Sequence, residues 1–408
     1  MMATTHGQEI KNMKLISHHD LNGYGNGGEG VALQQLPNGR RIFWIAHESA
    51  PKDVTALDVS DLANPKIVLQ TDLPYPYLRS NSLAVLGDLL LVAYQANKPG
   101  LPGVGMGIYN VSNPTEPKRI GFFDTSGPYS RGVHCLWFVD GEYAHLSTGA
   151  ADFQPRNPLD DQFYMIVDMK NPARPAEVGR WWIPGIREGD EAPMPVRHPR
   201  FDSGHRVHNT NVYPQRPDRA YAGWLDSGFL ILDIADKSRP RMISQIDHHP
   251  PFAGFTHTVL PLFSRDLLVV TDEANPGFEH CEDYPKLAWL VDVRVESNPV
   301  MIGSLPLPDK EDFGNRPGRF GAHNVHENQP VPLSFQSDEL VFGAFFNAGV
   351  RIYDTRNPFQ PKEVAHFVPE VPPAARANSV NDVYVDENRI VYAIDRLKGG
   401  LYILELTI

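Results

Sequence analysis

The chain has 408 residues, 41% of them hydrophobic, with 33 glycines, 37 prolines and a net charge of −12. That charge argues against nucleic acid or an anionic membrane as the main partner, and no run of apolar residues is long enough to be a membrane span. The opening "MMATTHGQEIKNMK" lacks a signal-type apolar stretch, and two cysteines, Cys135 and Cys281, are too few for a disulfide framework, so a cytoplasmic setting is expected.

One unit recurs and fixes the elements. An Asp or Asn precedes a Pro by seven residues in "ALDVSDLANP" (56–65), "IYNVSNPTEP" (108–117), "IVDMKNPARP" (166–175), "ILDIADKSRP" (231–240), "LVDVRVESNP" (290–299) and "IYDTRNPFQP" (352–361). Three residues after each Pro sits a β-branched residue: Val68, Ile120, Val178, Ile243, Ile302 and Val364. Between these landmarks lie short alternating stretches of Val, Ile, Leu and Tyr separated by turn residues, which read as strands. Four antiparallel strands in about 50 residues make one blade of a β-propeller. The Asx-to-Pro connection suits a turn whose side chain bonds local backbone, with Pro entering an outer edge strand.

In chain order, the first predicted element is a strand at 15–20, "LISHHD". It matches the outer strands "RIGFFD" (119–124) and "MISQID" (242–247). The glycine-rich "NGYGNGGEG" (22–30) then precedes a strand rather than a helix, so it suits close backbone approach around Glu29 better than a phosphate loop. Blades follow at about 27–73, 80–125, 132–184, 205–249, 255–306 and 321–369. The last unit, 378–408, supplies only three strands. Residues 15–20 are expected to be its fourth, closing one seven-bladed domain over 1–408 and leaving no open sheet edge there.

With motifs such as "ILDI" and "LVDV", the chain resembles the LVIVD-repeat family along essentially its whole length. The resemblance implies an all-β propeller but no single activity.

Aligning the first strand of each unit gives one equivalent position per blade: Glu29, Asn81, His134, His208, His257, His323 and Asn381. First strands line a propeller's channel, so these positions form a ring near one mouth, with four consecutive histidines facing Asn381, Glu29 and Asn81. The histidines are expected to bind one transition metal ion, Fe(II) ahead of Zn, Mn, Cu or Ni, because imidazole suits these metals. Glu29, expected across the channel and outside the primary ligand set, is the candidate catalytic base. A single such histidine would be read as a hydrogen-bonding feature of the repeat; four in succession point to a ligand set.

The long, variable connections (95–106, 149–162, 185–205, 272–287, 307–320 and 369–377) gather on the same face, where function concentrates. Arginines precede the ring positions: Arg79, Arg131, Arg206, Arg319 and Arg376. With Asn81 and Asn381, they are candidates to bind an anionic substrate; the plainer reading is solvated loop charges. Glu48, Asp226 and Glu273 are expected to support the imidazoles, with Gln95, Asn347 and Asp395 as further strand-end candidates. His205 and His326 flank the ring and are read as packing residues. No nucleophile elbow, HExxH or CxxC motif is present, and Cys135 is expected to point away from the channel.

The four-histidine arrangement is similar, in site geometry only, to that of carotenoid-cleavage oxygenases, and histidine-bearing methanethiol oxidase-type propellers are a second analogy. The reading is a metal-dependent enzyme on a small, anionic or aromatic organic molecule, with oxidative cleavage favoured. A non-redox lyase or hydrolase and an interaction propeller with structural histidines are the alternatives.

Overall fold

The computed structural model describes residues 7–199, 201–274, 286–373 and 375–408; Cys281 lies outside them. Seven four-stranded antiparallel sheets are arranged as the blades of a propeller. Blade three shows the plan, with Val133–Trp137 innermost, then Tyr143–Thr148, Phe163–Asp168 and Ala176–Trp181 at the rim. Its inner three strands are almost wholly buried, whereas the rim strand is half-exposed. The first three strands are apolar on both faces because each blade is sandwiched between two others. Trp137 ties blade three to blade four through Nε1–H donation to the Val212 carbonyl at 2.6 Å.

The recurring landmarks have physical jobs. In all six copies the Asx side chain accepts a hydrogen bond from the backbone N–H two residues on, from Ser60 for Asp58 through Arg356 for Asp354. The β-branched residue after the Pro is skipped by the strand pairing every time, making it the extra residue of a β-bulge in the rim strand. Ile16 occupies the same bulge in the N-terminal strand. Such a bulge sharpens the twist of the rim strand locally.

Two N-terminal strands, β1 (Glu9–Lys11) and β2 (Met13–His19), close the ring. β2 pairs with Leu401–Leu406 as the fourth strand of blade seven, as "LISHHD" implies. β1, unforeseen from the sequence, pairs with the rim strand Lys362–Val368 of blade six. Between them Asn12 turns through a left-handed φ of 53° while its Nδ2 donates to the Val364 carbonyl at 2.7 Å. The segment therefore bridges two blades. The innermost position of blade six is held by an irregular stretch around His323, bridged at Val325 to Gly343. No helix among the described residues is long and apolar enough to cross a membrane.

Candidate metal centre

The inner strands place their ring residues by a shared device. His134 falls between the paired residues Val133 and Cys135, His257 between Thr256 and Thr258, and Asn381 between Val380 and Asp382, each skipped by the register. Blade two leaves Ser80 and Asn81 out of register, and blade one leaves Gly28, Glu29 and Gly30. A bulge re-aims the residue it carries, and here it turns the side chain toward the axis. The glycines beside Glu29 are required by close approach: a Cβ at Gly28 would lie 2.6 Å from the Asn81 carbonyl oxygen, and one at Gly30 2.2 Å from the Leu83 nitrogen.

The seven ring residues form a closed belt. Nε2 atoms of His134 and His208 lie 2.7 Å apart, the rings of His208 and His257 have centroids 3.7 Å apart, and those of His257 and His323 4.5 Å apart. His323 meets the Asn381 carbonyl at 2.6 Å, Asn381 donates to the Gly28 carbonyl at 2.8 Å, and Asn81 donates to Glu29 at 3.2 Å. The side-chain oxygens of Asn81 and Asn381 are buried without a partner among the described residues.

Glu29 is not across the channel, as the sequence suggested. Its carboxylate stands 3.8, 3.7, 3.6 and 3.7 Å from the Nε2 atoms of His134, His208, His257 and His323. A channel of seven short strands is simply too narrow to separate the two sides. The combinations Glu29–His134–His208, Glu29–His257–His323 and His208–His257–Glu273 each bring three ligand atoms close enough to hold a metal ion.

Each imidazole is held through its Nδ1. Nδ1 of His134 meets Gln95 Oε1 at 2.9 Å, that of His208 meets Asn209 Oδ1 at 2.8 Å, that of His257 meets Thr258 Oγ1 at 2.7 Å, and that of His323 meets a carbonyl. The Gln95 oxygen is identified by the Arg79 guanidinium that donates to it at 2.6 Å. His208 and His323, whose Nδ1 partners only accept, thus carry their protons on Nδ1 and leave an Nε2 lone pair pointing at the axis, the arrangement that orients metal-binding imidazoles. Nδ1 of His134 also receives Nη2–H of Arg79 at 3.1 Å, which puts that ring's proton on Nε2, toward His208. Nε2 of His257 and of His323 has no hydrogen-bond partner among the described residues.

Charge sharpens the picture. Burial pushes the imidazoles of His208 and His323 down to about 3 and that of His134 well below its ordinary range, so all three are neutral. Burial would raise the Glu29 carboxyl, yet His257, His208 and His134 around it hold it well below the usual carboxylate range. These two tendencies compete for the same contacts: an anionic Glu29 wants positive charge on its neighbours, and burial keeps them neutral. A cation among them satisfies both.

Above the ring a cavity of about 190 Å³ opens to the mouth. Arg79, Arg131 and Arg206 line it, as do Glu48 and Glu273. Arg79 donates to Glu48 at 2.7 Å and Arg319 to Glu273 at 2.7 Å. Arg131 and Arg206 both bond Asp161, and Arg206 does so at 3.0 Å. Against burial, His323 and Arg319 beside it bring the Glu273 carboxyl down to about 2, and it lies 3.5 Å from His323 Nε2.

Four sequence candidates fall elsewhere. Arg376 is exposed and off the cavity lining, because it stands five residues before its ring position, whereas Arg79 and Arg206 stand two before theirs. Asp226 accepts from the Ser203 and Gly204 backbone at 2.5 and 3.0 Å, and so holds the 201–205 loop rather than a ring imidazole. Asp395 and Asn347 likewise bind neighbouring loops, and His205 and His326 are buried packing residues with protein partners.

Arg396 and Gln162 line the cavity and were missed. Arg396 follows Asp395 as Glu48 follows His47 and Glu273 follows Asp272, so the strand-end offset could have found it. Below the ring the channel narrows to about 30 Å³, with Glu327 and Asp382 among its walls. Burial raises both carboxyls, and Glu327 accepts from Asn209 and Asn211 at 2.9 and 2.8 Å. Cys135 also faces this lower space, not away from it.

The class is then a seven-bladed β-propeller whose axial mouth carries a His/Glu cluster able to hold a metal ion. The LVIVD repeat family model matches residues 218–248, in blade four, and the Asx-to-Pro unit of that blade recurs in five others. The β-propeller domain of Cps50 (Swd1) from Myceliophteria thermophila is similar in fold, with a TM-score of 0.56 at 14% identity over 98% of this chain and 100% of that one. No curated protein matches the sequence.

Proposed function

We propose that the protein is a metal-dependent enzyme acting on a small organic molecule at the mouth of its channel, with oxidative cleavage the favoured chemistry. The observation that carries this reading is the convergence of four imidazole Nε2 atoms on one carboxylate, at 3.8, 3.7, 3.6 and 3.7 Å. His134, His208, His257 and His323 would hold the ion, with Glu29 and Glu273 as oxygen donors within reach. Nitrogen donors with one or two carboxylates suit Fe(II), which is favoured, as well as Mn, Zn, Cu and Ni. Such an ion would supply Lewis acidity or, as iron, electrons for dioxygen chemistry.

The chain's own groups do the rest. Gln95, Asn209, Thr258 and the Asn381 carbonyl orient the imidazoles through Nδ1. Glu29 accepts a proton or anchors the ion. The cavity walls position the substrate.

Reconstitution with Fe(II), Mn, Zn, Cu and Ni, followed by dialysis and elemental analysis, tests the reading. One transition metal per chain is expected. A protein that retains none under any of these conditions overturns it. Dioxygen uptake by the iron form with candidate substrates separates oxidative from hydrolytic or lyase chemistry.

A further inference from the structure

The cavity over the ring holds polar groups that the metal centre does not use. Asp161 takes Nε and Nη2 of Arg131 and Nη1 of Arg206. One carboxylate therefore answers two guanidiniums and leaves a local charge of about +1. Gln162, next in the chain, lines the same cavity and is only 3% exposed. Its Nε2 has no hydrogen-bond acceptor among the described residues, and neither has Nε of Arg206. Buried donors are nearly always satisfied, and each that is not calls for an explanation. On another side of the cavity, Glu48 gives Oε1 to Arg79 and Arg396, while its Oε2 is buried without a donor. Phe255 supplies an apolar wall beside His208.

We propose that Arg131, Gln162 and Arg206 bind the carboxylate of a small organic acid, and that Glu48 accepts a hydrogen bond from a hydroxyl or amine on the same molecule. This rests on the proposed metal centre only for the site's role in catalysis. A carboxylate offers two planar acceptors to guanidinium and amide N–H groups. Its single charge matches the local +1, which a phosphate dianion would exceed. The cavity has the volume of roughly six water molecules, enough for a short-chain or one-ring hydroxy acid.

The test is calorimetric titration of the Zn-loaded protein with glycolate, lactate, mandelate and 4-hydroxybenzoate, each beside its neutral amide, and with inorganic phosphate. At least one acid is expected to bind at least tenfold more tightly than its amide. Q162L and Q162M should each weaken that acid roughly tenfold or more, the scale of a lost hydrogen bond to a charged group. Amide binding, melting temperature and metal content should stay unchanged. Equal binding of every acid and its amide overturns the proposal, as does acid binding indifferent to both Gln162 variants or phosphate binding more tightly than all the acids. The same titration on a His208→Ala/His257→Ala variant separates the two readings. Acid preference in that variant with one metal per chain still bound sinks the metal centre alone, and wild-type metal retention without acid preference sinks the subsite alone.

Discussion

His134 and His208 bring their Nε2 atoms to 2.7 Å of each other, while Nδ1 of His208 donates to Asn209 and Nδ1 of His134 lies 2.9 Å from Gln95 Oε1 and 3.1 Å from Arg79 Nη2. With Arg79 donating to its Nδ1, His134 carries a proton on Nε2 and shares it with His208, and a cation bound by both nitrogens displaces that proton. Adding a binding metal at a hundredfold excess over its dissociation constant should stabilise the fold by about 2.7 kcal/mol, a rise of a few degrees in Tm. The His208→Ala/His257→Ala variant should keep the β-sheet circular dichroism and lose both the stoichiometric metal and the rise. One metal per chain in that variant would refute the ligand assignment.

Glu29 touches all four imidazoles. Glu29→Gln preserves size but removes the charge that offsets the ion. Metal affinity should fall by roughly 10- to 100-fold, and turnover at saturating metal by roughly 10²-fold or more. Competition against a chelator reads the first effect and steady-state kinetics the second. Unaltered values for both would mean that Glu29 serves blade packing alone.

Removing residues 1–20 deletes β2 from blade seven and β1 from blade six. Two strand edges are then exposed, and the truncated protein should melt well below the full chain. Coincident calorimetric transitions for the two proteins would show that the N-terminal segment does not close the ring.

Asp53 supplies a pH test away from the metal. Burial raises its carboxyl to about 6, against weaker help from hydrogen bonds with Tyr94, Ser80 and Thr71. A carboxyl raised in the folded state contributes stability that is complete below its unfolded value of 3.8 and is lost as pH climbs through about 6. Asp53→Asn fixes the neutral form. The variant should therefore melt higher than wild type at pH 8, by on the order of 2 kcal/mol, and match it near pH 4. Calorimetry across that range checks the crossover, and a variant less stable at pH 8 contradicts it.

The ring of Glu29, Asn81, the four histidines and Asn381 was legible because the repeat places one residue per blade at the same offset. The strand at 15–20 was legible for the same reason. What stayed hidden depends on distances that a period does not encode. The width of the channel decides that Glu29 meets the imidazoles, and loop path decides that Arg376 swings out while Arg396 points in. β1 has no counterpart in other blades, so no comparison between units could reveal it. Gln162 stands on a long irregular connection where alternation gives no orientation. Asp226 was assigned by its strand-end position, but the neighbouring loop's unpaired N–H groups claim its oxygens first.

The pairing of β2 with Leu401–Leu406 also constrains the order of events during synthesis. Residues 13–19 emerge from the ribosome early, yet their partners are the last strand of the ring to be made. Six blades can assemble one after another as the chain lengthens, but the seventh must wait with its rim strand unpaired until residue 406 is free. The contacts that close the circle thus span nearly the entire chain, the kind that form slowest. Until they form, the growing protein presents bare strand edges to its neighbours.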